Sequence, residues 1–380
     1  MPEPDMAVCT ITANGQLRPA VDTLDNSFVV VWFGYGTGDA DGIFGQIFDD
    51  DGAKIGSNNF LVNEYTTSSQ DNPDITKLNN GNFVVVWQSD GQDTNKQGVY
   101  GKIYNSNGAV VRSEFQINTT TFGDQDVPAV EALTEGGFVV AWVSETQDGN
   151  GDGVYRKQYD SGGNVVKVEA LVNTTTINHQ NSPDVARASG GGYIIVWDSD
   201  QNDIHTDIFA KRYDSFGDPL TEFQINTTTE NHQEAPRVIA FDNNTKFAII
   251  WQSQDQDLSG KGIFGRLVWA SNGAFIDDEF LVNTTAAGDQ KLPSVAELNS
   301  PGQGFITTWE SSDGNGLGIY AQKYDDGGYQ LGGEFLINTY TTNSQESSDV
   351  AINLNSNFVA VWQSWQQDES TNYGIFGKVY

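Results

Sequence analysis

One hexapeptide in this sequence has the makings of a metal site. Asp148-Gly149-Asn150-Gly151-Asp152-Gly153 places side-chain oxygens at alternate positions. That spacing gathers carboxylate and amide oxygens round one hard cation in the first half of a twelve-residue calcium loop. The glutamate that would complete the loop is missing, and Tyr159 stands in its place. Thinner versions recur at Asp93–Gly98 and Asp313–Gly318, and at Asp257–Gly262 a lysine, Lys261, falls where an oxygen is wanted. Asp, Asn and Gly also build ordinary turns. The loop therefore reads either as a structural Ca2+ site held by Asp148, Asn150 and Asp152 or as a plain turn.

A second group of residues could bind sugar. Trp365 and Tyr35 are aromatic where the corresponding loops are otherwise polar, and Asp368, Gln366 and Asp39 accompany them. Exposed rings beside carboxylates and amides suit the stacking of a sugar ring, although single surface aromatics are common. Linear catalytic signatures are absent: no H-E-x-x-H, no G-x-S-x-G, no glycine-rich phosphate loop and no Cys/His cluster. Only His179, His205 and His232 offer imidazole chemistry. The expectation is that the chain is not an enzyme, and no pair of acidic residues singles itself out as the two carboxylates of a glycosidase.

These loops hang on a seven-fold internal repeat. Trp32, Trp87, Trp142, Trp197, Trp251, Trp309 and Trp362 close the runs SFVVVW, NFVVVW, GFVVAW, GYIIVW, KFAIIW, GFITTW and NFVAVW. A period near 55 residues signals stacked units, none of which can bury its apolar face alone. Each unit carries four short strand-like segments separated by Gly/Asn turns, in the second unit Pro73–Leu78, Phe83–Ser89, Gly98–Tyr104 and Phe115–Asn118. Phe83-Val84-Val85-Val86-Trp87 is apolar on both alternating faces, so it must be covered on both sides. Four-stranded sheets packed face to face round an axis supply that cover.

The predicted fold is thus all-β: a closed seven-bladed β-propeller with four antiparallel strands per blade. Asp5–Thr10 aligns with Glu114–Thr119, so the N-terminal strand is expected to complete the last blade and remove the exposed sheet edge. Residues 1–380 then form one domain, with blades at about 17–63, 71–118, 126–173, 181–226, 234–283, 291–338 and 346–380 plus 4–10.

Several polar positions repeat with the blades. Gln16, Gln70, Gln125, Gln180, Gln233, Gln290 and Gln345 follow by seven residues Asn63, Asn118, Asn173, Asn226, Asn283 and Asn338, with Cys9 replacing asparagine before Gln16. Such amides are expected to satisfy backbone groups in the crossing between blades. Glu114, Glu169, Glu222, Glu279 and Glu334 are expected to pair across strands with Lys102, Lys157, Lys211, Arg266 and Lys378. Proline (Pro19, Pro73, Pro128, Pro183, Pro236, Pro293) is expected to start the inner strand. One face of the ring collects the loop aspartates Asp93, Asp148, Asp203, Asp257 and Asp368.

Composition limits the partners. Nineteen Lys+Arg against 51 Asp+Glu give a formal net charge of -32, which repels nucleic acid and anionic lipid. With Cys9 alone, no internal disulfide forms. No apolar stretch approaches a membrane span, and Met1-Pro2-Glu3-Pro4 lacks the basic start and apolar core of a signal peptide.

The phrases FVVVWQSDGQD, GVYGKIY and EFQINTTTFGDQ resemble the roughly fifty-residue repeats of large bacterial secreted or surface-attached proteins, adhesin-like and often calcium-associated. That resemblance covers nearly the whole chain. It implies an extracellular or cell-surface, lectin-like propeller that binds a glycan or protein ligand on its acidic loop face, as a monomer or as part of a larger surface protein. The alternatives are an architectural spacer domain or a carbohydrate-active enzyme.

Overall fold

The computed structural model describes residues 4–11, 13–201, 204–298, 304–352, 358–368 and 371–380. Seven four-stranded antiparallel sheets form the blades of a propeller. The second blade runs Gln70–Lys77, Phe83–Asp90, Gln97–Tyr104 and Val110–Gln116 from axis to rim. Its outermost strand thus begins five residues before the expected Phe115, because Tyr104 continues to pair with Val110 beyond the hairpin. Among the described residues no helix is long and apolar enough to cross a membrane.

The core lies between blades. All seven repeat tryptophans are at most 1% exposed, each packed into a cluster shared by neighbouring sheets. In six blades the aromatic that opens the tryptophan strand stacks on a ring at the end of the next strand; in the fifth, Phe247 faces Val268. Phe83–Tyr104 at 5.2 Å, Phe138–Tyr159 at 5.0 Å and Phe358–Tyr380 at 4.5 Å are examples. Truncating one such buried ring would cost about 3–5 kcal/mol.

Every inner strand carries the same bulge. The register shifts two residues after the recurring glutamine, for instance between Asp126 and Ala129, and the bulged residue has φ near +50°: Arg18, Asn72, Val127, Ser182, Ala235, Leu292 and Ser347. Proline follows at once in six of them. It lies inside the strand, at the bulge, rather than at the strand's start, because a bulge also tolerates the missing N–H.

The amide repeat performs the expected task. Asn118 Oδ1 accepts the Val99 N–H at 2.9 Å, and its Nδ2 donates to the Thr120 carbonyl and to Gln125 Oε1. Gln125 Nε2 donates in turn to the Phe122 and Gly123 carbonyls. The charge ladder differs from expectation. Lys102, Lys157, Lys211, Arg266 and Lys378 all reach back to an outer-strand carbonyl of the preceding blade. Glu169, Glu222, Glu279 and Glu334 accept threonine N–H groups there. Only Lys211 and Glu222 meet within one blade among the described pairs, at 3.5 Å. The groove between blades leaves backbone groups unpaired, and satisfying them outweighs a surface ion pair worth under about 1 kcal/mol.

The seventh blade is Gln345–Ile352, Phe358–Trp365, Tyr373–Val379 and, from the other end of the chain, Met6–Ala7. Met6 pairs with Gly377 and Ala7 with Phe376. Asp5 accepts the Thr339 and Tyr340 N–H groups, taking the place glutamate has elsewhere. The N-terminal strand therefore completes the ring as its sequence foretold.

Candidate functional site: the acidic channel and its mouth

The inner strands enclose a central channel with a cavity of about 620 Å³. Its wall is tiered by the repeat. Four residues past the glutamine stand Asp74, Asp184 and Asp349, with Arg237 and Ser294 in other blades; further down come Asp22, Glu131, Arg187 and Glu297. Removal from bulk water pushes these carboxyls up, Asp74 and Glu131 to about 8, Glu297 to about 7 and Asp184 to about 6.

Most of the raised carboxyls are committed to structure. Asp74 accepts the Val130 N–H at 2.7 Å, Asp184 that of Val238 at 2.7 Å, and Asp22 that of Lys77 at 2.7 Å, each in the next blade. The residue after the core tryptophan does the same for the bulge. Gln88 accepts from Val127, Asp198 from Ala235, Gln252 from Leu292, Glu310 from Ser347 and Gln363 from Arg18. Burial raises Glu310 to about 7 and Asp198 to about 6. These clasps hold one inner strand to the next, which commits these side chains to the ring.

Asp126 is different. It follows Gln125 at the mouth of the channel on the loop face, is partly exposed, and carries none of these strand-to-strand hydrogen bonds. Burial, then the neighbouring Asp124, Asp152 and Glu145 carboxylates, push it up to about 6. Its neighbours are anchored by bases. Lys96 Nζ lies 2.5 Å from Glu145 and 3.1 Å from Asp124, and His179 Nδ1 lies 2.7 Å from Asp152 Oδ2. A proton-holding carboxyl beside other carboxylates is the arrangement that separates general acid from base. One signal in the sequence could have located it. The position after the recurring glutamine is charged in five blades (Asp71, Asp126, Glu234, Lys291, Glu346), and the propeller turns that position into a ring at the mouth.

The residues of the expected calcium loop face separate partners. Asp148 Oδ1 accepts the Asn150 N–H at 3.1 Å, its Oδ2 lies 3.4 Å from Asn173 Nδ2, and Asp152 turns to His179. The same turn recurs at Asp39, Asp93, Asp257 and Asp313. Its aspartate lies over a glycine at the start of the third strand; a Cβ at Gly98, Gly153 or Gly262 would come within 2.8 Å of that carboxylate. Asp148, Asn150 and Asp152 share this one turn, and among the described residues no three His, Cys, Asp or Glu side chains converge. Asp203 lies outside the described residues.

Of the expected sugar platform, Trp365 packs edge-on against Tyr373 at 4.9 Å and 67°. Together with Asn315, Gly316, Asn343 and Ser344 they wall a pocket of about 400 Å³ between blades six and seven. Tyr35 is 37% exposed and Gln366 has φ of 60°. Asp39 is buried and accepts from Asn63 Nδ2 at 2.7 Å. Asp368 lies against Gly374.

No family model matches the chain, and none of the curated proteins does. Solved structures share its fold. A polysaccharide lyase, the ulvan lyase of family PL25, superposes with a TM-score of 0.62 at 9% identity over 99% of this chain and 95% of that one. The α-L-arabinanase of Penicillium chrysogenum, solved with arabinobiose, gives 0.54 at 12% identity over 83% and 94%. The sialidase NanB of Streptococcus pneumoniae gives 0.53 at 10% identity over 99% and 70%. The likeness is one of fold, and all three are enzymes acting on carbohydrate. The expectation that this chain is not an enzyme is corrected accordingly. Missing linear motifs were poor grounds for it, because a propeller draws its reactive groups from different blades, tens of residues apart in sequence. The chain is a seven-bladed β-propeller, and its fold is similar to that of these carbohydrate-active enzymes.

Proposed function

We propose that this protein is a carbohydrate-active propeller, which lays a glycan across its acidic loop face and cleaves it at the mouth of the central channel. The observation that carries this reading is Asp126, raised to about 6 yet free of the clasps that occupy the other raised carboxyls on this face. In that role Asp126 protonates the departing glycosidic oxygen. Asp152, held by the His179 ring, is the neighbouring carboxylate placed to take a proton from water. Lys96 pairs with both Glu145 and Asp124, the other carboxylates beside Asp126. The arabinobiose seen in the arabinanase makes neutral oligosaccharides the first probes.

The reading makes no use of calcium. A glycan substrate also supports placing the protein outside the cell or on its surface, as an acidic, single-cysteine chain would suit. The test is a reducing-end assay on arabinan, xylan, galactan, glucans and ulvan, run with wild type and Asp126→Asn. Turnover that falls at least ~100-fold in the variant, with its melting temperature kept, supports the proposal. Equal turnover in both, or none on any polymer, overturns it.

A further inference from the structure

The geometry points to a second glycan site, on the same loop face but three blades round the ring from Asp126: the pocket between blades six and seven holds an uncharged sugar ring against Trp365 and Tyr373. This rests on the reading that the propeller handles glycan, but not on where cleavage happens.

The argument starts from two departures from the repeat. Three residues past the core tryptophan the other blades carry Tyr35, Asp90, Glu145, Asp200, Gln254 and Ser312; blade seven carries Trp365. The position at or beside the start of the third strand is Asp41, Gln97, Asp152, Thr206, Lys261 or Leu317 elsewhere and Tyr373 here. These two positions face each other across the hairpin. The exceptions therefore form one aromatic corner at a solvent-facing place where the other blades are mostly polar. Rings set at 67° offer one face and one edge, and the C–H face of a sugar packs on such a surface.

The rest of the pocket wall is neutral and polar. Asn315 comes from the facing hairpin of blade six, and Asn343 and Ser344 from the crossing between the blades. Amides and hydroxyls of this kind suit sugar hydroxyls. Among the described residues no lysine or arginine lines the pocket. Beneath it the Tyr373 hydroxyl donates to Glu346 Oε2 at 2.9 Å, and Gln363 Nε2 donates to the same oxygen at 3.3 Å. A uronate or sulfated ring would bring a second negative charge towards Glu346, on a chain of net charge -32. The pocket thus selects neutral rings by repulsion as well as by contact.

The experiment is calorimetric titration of the Asp126→Asn protein, in which the proposed cleavage is disabled. The probes are neutral arabino-, xylo-, galacto- and gluco-oligosaccharides and, in parallel, oligogalacturonate. The expected result is binding of at least one neutral oligosaccharide, weakened tenfold or more by adding Trp365→Ala, and tenfold or more weaker binding of the uronate. Glu346→Gln, which removes the charge beneath the rings and leaves both aromatics in place, should retain stacking and relax the discrimination against uronate. Neutral-sugar binding that survives Trp365→Ala in a protein of unchanged melting temperature, a preference for uronate, or no binding of any neutral probe overturns the inference. Trp365-dependent binding without turnover by the wild type upholds this site while removing the catalytic reading.

Discussion

The Asp349 carboxylate accepts the backbone N–H of Val21 at 2.8 Å, across 328 residues of sequence. Asp74–Val130 and Asp184–Val238 are the same contact inside the ring; Asp349–Val21 makes it at the seam where last blade meets first. Replacing Asp349 by alanine leaves that N–H without its partner and should cost about 1–3 kcal/mol. Deleting residues 1–12 removes the closing strand and should lower the melting temperature further. Equal melting of wild type and deletion in a thermal scan would contradict closure.

Cys9 stands where six other blades have asparagine. Its Sγ receives the Ile375 N–H at 3.5 Å, whereas Asn118 accepts the equivalent Val99 N–H at 2.9 Å. Cys9→Asn should restore the amide network and stabilise by about 1 kcal/mol, seen as a raised denaturant midpoint. Burial pushes the Cys9 thiol up, so iodoacetamide should label it only under denaturing conditions.

Val127 holds φ of 47° with a β-branched side chain that is 38% exposed. Left-handed backbone at such a residue costs on the order of 1–3 kcal/mol. Blade two has Asn72 in the same bulge at φ of 49°. Val127→Asn should therefore raise the melting temperature, while the same change at the unstrained neighbour Val130 should lower it.

Stability should fall as pH rises from about 5 to 8. Asp74 and Glu131 at about 8, and Glu297 and Glu310 at about 7, bind protons more tightly in the folded protein than the ~4 of an unfolded chain. Their contribution is complete below the unfolded value and is lost as pH passes through the folded one. Below about 5 the order reverses, because Glu64 and Glu145 are held under the usual range by Lys102 and Lys96. Differential scanning calorimetry from pH 4 to 9 should find the highest melting temperature near 5; a maximum at 8 would refute the assignment.

Sequence alone determined the blade count, the buried tryptophans, the strand shared by the two ends of the chain and the asparagine–glutamine network. A repeat writes the same local pairing seven times, so one blade read correctly gives all. What the tertiary structure decided were contacts between blades: Lys102 turning to the Val62 carbonyl, Trp365 meeting Tyr373 and Asn315, and Asp126 standing unclasped where Asp74 is tied to Val130. Those depend on where the repeats differ, and on side chains far apart in the chain meeting round a common axis. Periodicity encodes the averaged blade and is blind to the exceptions, while the charge and dielectric that set Asp126 apart exist only once the ring has closed round its channel.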